Sequence, residues 1–137
     1  MSAKPAAIRT HGLTHVALAV RDPKRSLRFY RQVFGVVSVY EEPSFIQAQT
    51  PGSHDVLVFE KDPDRAGRAG GVVHVGFRLV DPADIEQALE TVEAAGGTIL
   101  SHGEFCPGEP YLFCCDPDGY EVEVWYELPT RVDPPKA

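Results

Sequence analysis

Residues 15–23 read HVALAVRDP and residues 74–82 read HVGFRLVDP, so His-Val and Asp-Pro both recur 59 positions on, with Val20 and Val80 one place out of step. Recurrence on this scale marks a duplicated supersecondary unit, which obliges both halves of the chain to run through the same elements in the same order. Each copy opens as a strand. Alternate residues of an extended chain share a face, which puts Val16, Leu18 and Val20 on one side and His15, Ala17 and Ala19 on the other. An imidazole followed by two small residues leaves space on its face. One such histidine is ordinarily a hydrogen-bonded core residue; one at the head of each repeat is a candidate ligand.

After each strand an Asp-Pro pair predicts a helix start, with Asp22 and Asp81 capping exposed amides and Pro23 and Pro82 suited to the first helical position. In PKRSLRFYRQVFG, Leu27, Tyr30, Val33 and Phe34 recur at helical spacing before Gly35; in PADIEQALETVEAAGG, Ile85, Ala88, Leu89 and Val92 do so before Gly96 and Gly97. Three strands fit the remainder of each half, at about 36–41, 44–49 and 54–60 and at about 98–102, 111–115 and 120–127, separated by the breakers PGS at 51 and DPDG at 116. Each half is therefore βαβββ, and the fold class is α+β. One domain is expected over 8–128, with module one at about 11–61 and module two at about 72–127. The polar, glycine-rich segment 62–71 reads as a surface connection without a functional role, and 129–137 as a flexible tail.

Composition narrows the partners. Twenty acidic against 13 basic side chains, a formal charge of -7, count against nucleic acid. With 43% hydrophobic residues the chain can bury a core. No apolar run reaches membrane-spanning length and MSAKPAAIRT lacks the apolar stretch of a secretory signal, so the expectation is a cytoplasmic protein without a membrane partner. Cys106, Cys114 and Cys115 are odd in number and lack CxxC spacing, which suggests neither a disulfide framework nor a zinc knuckle. Cys114 and Cys115 fall on opposite strand faces as small apolar filler.

The last strand, YEVEVWYE, puts Glu121, Glu123, Trp125 and Glu127 on one face and Val122, Val124 and Tyr126 on the other. Alone, this is the pattern of a half-solvated sheet strand. Beside two repeat-heading histidines it gains another meaning, because two imidazoles and a carboxylate form the facial ligand set of iron(II), manganese(II) or a related ion. Spacing does not say whether they meet.

The phrases LTHVALAVRDPKRSLRFYRQVFG, HVGFRLVDP and DPDGYEVEVWYE resemble the vicinal oxygen chelate superfamily, which includes glyoxalase I, fosfomycin resistance proteins, extradiol dioxygenases and bleomycin resistance proteins. The resemblance covers about residues 11–127. It implies two βαβββ modules forming a curved mixed sheet around a metal cavity, completed in short chains by a second copy, hence a homodimer. It implies metal ligands at the first strand of each module and on the final strand, at His15, His74 and Glu123, with iron(II) or manganese(II) favoured and zinc(II) or nickel(II) as alternatives.

Similarity to glyoxalase I would require a fourth ligand on the last strand of module one. Aligning PG at 51 with DG at 118 shifts that strand by 67 and sets Val56 opposite Glu123, leaving three protein ligands unless Glu60 reaches back. Three ligands resemble the plan of extradiol-type dioxygenases and of fosfomycin-type transferases; the additional cation-binding and thiol-binding loop residues of the latter find no match here, so the expectation is a dioxygenase-like oxidoreductase acting on a small substrate that chelates the metal through neighbouring oxygens. A glyoxalase-type lyase or isomerase, a fosfomycin-type transferase and a metal-free drug-binding protein of bleomycin-resistance type are the alternatives. In the dioxygenase pattern, Tyr111 stands near the position of a catalytic tyrosine and His54 near that of an acid/base histidine. Val56, Phe113 and Trp125 are expected to line the substrate pocket.

Overall fold

The structure is a computed structural model that describes residue 9 and residues 13–133. Strand β1 (His15–Val20) leads into helix α1 (Pro23–Phe34) and strands β2 (Val37–Glu42), β3 (Phe45–Gln49) and β4 (Val56–Lys61). The second module repeats this with β5 (Val75–Arg78), α2 (Ile85–Ala94), β6 (Thr98–Glu104), β7 (Pro110–Cys115) and β8 (Glu121–Trp125). Each module forms one mixed four-stranded sheet, ordered β1-β4-β3-β2 and β5-β8-β7-β6, with its first and last strands parallel and the other pairs antiparallel. Even the irregularities repeat. The register slips between Ser38 and Tyr40 in one sheet and between Ile99 and Ser101 in the other, turning the extra residues Val39 and Leu100 outward.

Local chemistry accounts for the element ends. Asp22 accepts from the Lys24 amide at 3.0 Å to start α1, and Gly35 closes it in the left-handed region at φ 72°. Asp81 likewise caps the Ala83 amide at 2.9 Å, but the turn it starts is a 3-10 turn over Pro82–Asp84, and α2 begins only at Ile85. The repeat also runs one residue tighter than the valines suggest. Leu79 packs on the core as Val20 does, whereas Val80 is 96% exposed.

The core collects Val16, Leu18, Val20, Ile46, Leu57 and Phe59 from one sheet and Leu112, Cys114, Val122 and Val124 from the other, with both helices packed on it. Phe34 of α1 stacks on Phe77 of β5 at 3.8 Å, which joins the modules directly. One face of each sheet is consumed in this way. The opposite face, the one bearing His15 or His74, remains for a site.

The DPDG turn is more than a breaker. Asp116 accepts from the Tyr30 hydroxyl at 2.8 Å and from the amides of Asp118 and Tyr120 at 2.9 and 3.0 Å. Asp118 accepts from the Arg21 amide and guanidinium, the Arg25 guanidinium and the Ser26 hydroxyl, all at the start of α1. The segment 62–71 is likewise docked rather than loose: Ala66 is buried, and Gly67, at φ +81°, lies so near the Asp118 carbonyl that a Cβ there would stand 2.5 Å from its oxygen. In the tail, Asp133 pairs with Arg78 at 3.1 Å, so its described part is tied to β5; residues 134–137 lie outside the described residues.

Candidate functional site

Period-two alternation sends Val122 and Val124 of β8 into the core and Glu121, Glu123 and Trp125 to the open face. The parallel register of β5 on β8 pairs Val75 with Val122 and Gly76 with Glu123, which sets His74 beside Glu121. From there the imidazole is held between two carboxylates. Its Nε2 lies 3.0 Å from Glu123 Oε2 and its Nδ1 lies 3.6 Å from Glu121 Oε2. Phe113, opposite Glu123 on β7, meets the His74 ring edge-on at 5.2 Å. Glu123 is only 8% exposed. An imidazole and a buried carboxylate side by side are donor types that suit a divalent cation.

His15 stands apart from that pair. It heads β1 with its Nδ1 3.0 Å from the Thr14 hydroxyl, next to Val56 of β4, and lines a groove of about 920 Å³. His74 and Glu121 line a different cavity, of about 410 Å³, with Ala17, Ala19, Glu60 and Arg68. Among the described residues no group of three or more His, Cys, Asp or Glu side chains is placed to hold a metal ion. Two of the three expected ligands meet within one chain, and the third lies on the other module.

Strand register corrects the alignment of the fourth position. His15 pairs with Val56 as His74 neighbours Glu121, and Ala17 pairs with Val58 as Gly76 pairs with Glu123, so the counterpart of Glu123 is Val58, not Val56. The shift between the last strands is 65, because the turns before them differ by two residues. Valine occupies the fourth position on either alignment. Glu60 corresponds to Trp125 and is exposed, one strand row further on. His54 precedes β4 rather than lying on it, in an exposed loop. Tyr111, by contrast, is on the open face, paired with Trp125 one row beyond Phe113 and Glu123.

Two neighbours escaped the sequence reading. Glu121 was visible as part of the carboxylate row, yet only the strand pairing shows it flanking His74. Phe105, in the hairpin after β6, carried no periodic signal, and it stacks on Tyr111 at 4.1 Å.

Two βαβββ repeats, with His15 heading the first strand of one and His74 immediately preceding the first strand of the other, define a paired-module fold. The Glyoxalase/Bleomycin resistance protein/Dioxygenase superfamily matches residues 12–124, and the chain belongs to that superfamily. Catechol-2,3-dioxygenase of Bacillus subtilis (strain 168) is 26% identical over 126 residues, covering 87% of this chain and 44% of that protein. Manganese-dependent 2,3-dihydroxybiphenyl 1,2-dioxygenase of Geobacillus genomosp. 3 is 26% identical over 125 residues, covering 90% of this chain and 38% of that protein. The chain thus spans less than half the length of these curated relatives. Among solved structures, the fosfomycin resistance protein FosX from Mesorhizobium loti superposes with a TM-score of 0.72 at 20% identity, covering 88% of this chain and 95% of that one. No helix among the described residues is long and apolar enough to cross a membrane.

Proposed function

We propose that the protein is a divalent-metal-dependent oxidoreductase of dioxygenase type, acting on a small substrate that presents two neighbouring oxygens to the metal. The observation that carries this reading is the approach of His74 Nε2 to Glu123 Oε2 at 3.0 Å on the open face of the second sheet. His15 completes the ligand set from a second copy of the chain, because within one chain it lines a different groove. The working unit is therefore a homodimer with two sites, each shared between copies. Valine in place of a fourth ligand supports an open site over a four-ligand glyoxalase plan.

The ion, iron(II) or manganese(II), supplies Lewis acidity and open coordination positions. The rest falls to the chain. Glu123 offsets part of the cation's charge, and the carboxylate of Glu121 steadies the His74 ring with its Nε2 turned towards the site. Tyr111 is the proton-handling group, since its phenol shares the open face with Glu123, whereas His54 lies on an exposed loop. Phe113 and Trp125, with Val56 beside His15, exclude water from the substrate.

Manganese(II) titration followed by electron paramagnetic resonance tests the assignment. His15→Ala and His74→Ala should each abolish tight binding, and mixing the two unfolded variants and refolding them together should restore a fraction of it, because mixed dimers contain one intact site. Unchanged binding in His74→Ala would sink the ligand set. Two silent variants that stay silent on mixing would rule out the shared site.

A further inference from the structure

We infer that helix α1 of one copy of the chain docks on helix α2 of another through two complementary charged stripes, Lys24, Arg28 and Arg31 against Glu86, Glu90 and Glu93. The observation behind it is a charge inversion inside the repeat. Set 62 residues apart, the two helices match in the core, with Leu27 equivalent to Leu89 and Tyr30 to Val92, while each of the three exposed cations of α1 has an exposed glutamate as its equivalent on α2. Steps of four and three residues put each trio on one helix face over about 10.5 Å. The charges around them are segregated in the same sense: residues 21–35 hold five cations and one acid, the capping Asp22, whereas residues 79–97 hold five acids and no cation.

Neither stripe serves its own helix. Like charges three and four residues apart repel along each face, Lys24 stands at the positive end of the α1 dipole and Glu93 at the negative end of the α2 dipole, with no acid in the first turn of α1 and no base in the last turn of α2 to offset them. Nor does the fold neutralise them. None of the six forms a salt bridge among the described residues, whereas Arg21 and Arg25 of the same segment are drawn off to Asp118. Charges placed at a local cost and left unpaired suit a partner that carries the opposite sign at the same spacing, and a second copy is such a partner. Run antiparallel, Lys24 faces Glu93, Arg28 faces Glu90 and Arg31 faces Glu86, and the opposed ends of the two helix dipoles attract as well. Because α1 and α2 pack on each other, each copy can offer both stripes to one partner, and the contact made twice about a two-fold axis closes. A polyanion would be held by α1 alone and repelled by the formal charge of -7. The helices cover the core, so the contact leaves the open sheet faces free, and the inference does not rest on the proposed function.

Sedimentation velocity on the full chain, with a chelator present to remove metal-dependent contacts, tests the docking in about 0.01 M and about 1 M salt, where charges are screened beyond about 30 Å and about 3 Å. Exposed ion pairs are individually weak, so the contact needs all of them together and salt releases it. The particle in low salt should have at least twice the mass of the particle in high salt. A triple variant of α1 (Lys24→Glu, Arg28→Glu, Arg31→Glu) and one of α2 (Glu86→Lys, Glu90→Lys, Glu93→Lys) should each keep the high-salt mass in low salt, a weakening of at least about tenfold. The α2 variant brings the formal charge of -7 closer to zero, so general repulsion does not account for its loss. Mixed together, the two variants should regain the low-salt mass, because every α1 then meets an α2 of opposite sign. If circular dichroism shows that a reversed variant does not fold, glutamine at the same three positions takes its place and should likewise lose the low-salt mass; retaining it would overturn the docking. So would a wild-type mass indifferent to salt, self-association by either reversed variant, or folded variants that fail to recover on mixing. Each of these leaves the proposed metal site standing, since manganese binding is measured separately.

Discussion

Replacing Asp118 by alanine removes the side chain that fastens the turn before β8 to the start of α1, and so one module to the other. Its carboxylate is fully buried and accepts from the Arg21 amide at 3.1 Å, the Arg21 guanidinium at 3.3 Å, the Arg25 guanidinium at 2.9 Å and the Ser26 hydroxyl at 3.3 Å. Alanine strands these donors unequally. The Ser26 hydroxyl, in a residue 1% exposed, loses its partner at a cost of about 1–3 kcal/mol. The side chains of Arg21 and Arg25 are 53% and 37% exposed and rehydrate, so their loss falls well short of the 3–5 kcal/mol for breaking a wholly buried pair. Together the expectation is a destabilisation of about 2–4 kcal/mol. Urea unfolding followed by Trp125 fluorescence measures it as a lowered midpoint at unchanged slope. Asp118→Asn, which keeps the shape and one acceptor oxygen, should lose about half as much. A loss below about 1 kcal/mol for Asp118→Ala would mean that the clamp does not hold the modules together.

Two further outcomes follow from the same coordinates. Val58→Glu should slow manganese release from the dimer by adding a fourth ligand, a carboxylate, opposite Ala17, whereas Val56→Glu should not; the reverse order in a chelator-competition assay would restore the alignment that pairs Val56 with Glu123. Burial raises the carboxyl of Asp116 above the usual carboxylate range, although the Tyr30 hydroxyl and two backbone amides pull it back down. Between the unfolded and the raised value the folded protein binds more protons, so this group's stabilising contribution is present below the usual range and is lost as pH rises through the raised value. The stability of the wild type relative to Asp116→Asn should therefore fall from acid towards neutral pH, and a difference that stays flat in urea titrations would refute the argument.

The parts of the fold that were legible in the chain are those dictated by short-range chemistry. Strand alternation alone put Glu121, Glu123 and Trp125 on one face and Val122 and Val124 on the other, and the structure keeps that division. Asp22 and Asp81 cap the turns they were expected to cap. The βαβββ order of both halves followed from the repeat, as the two sheets bear out. Where the chain misled, the error lay in matching one strand to another. Aligning the turns before β4 and β8 misplaced the counterpart of Glu123 by two residues, because a loop can absorb residues that hydrogen-bonded strand pairing cannot.

By itself the sequence determined which face of each strand is apolar, where α1 begins and where the turn leading into α2 is capped, and that a histidine heads each module, because these depend on the two-residue period of a strand and on contacts within a few residues. Only the tertiary structure decided that His74 meets Glu123 while His15 lines a separate groove, that Asp116 and Asp118 are buried hubs rather than a solvated turn, and that Gly67 lies against the Asp118 carbonyl. Those facts depend on how two separately formed sheets lie against shared helices. That arrangement is set by the summed packing of residues far apart in the chain, of which no local pattern carries a trace.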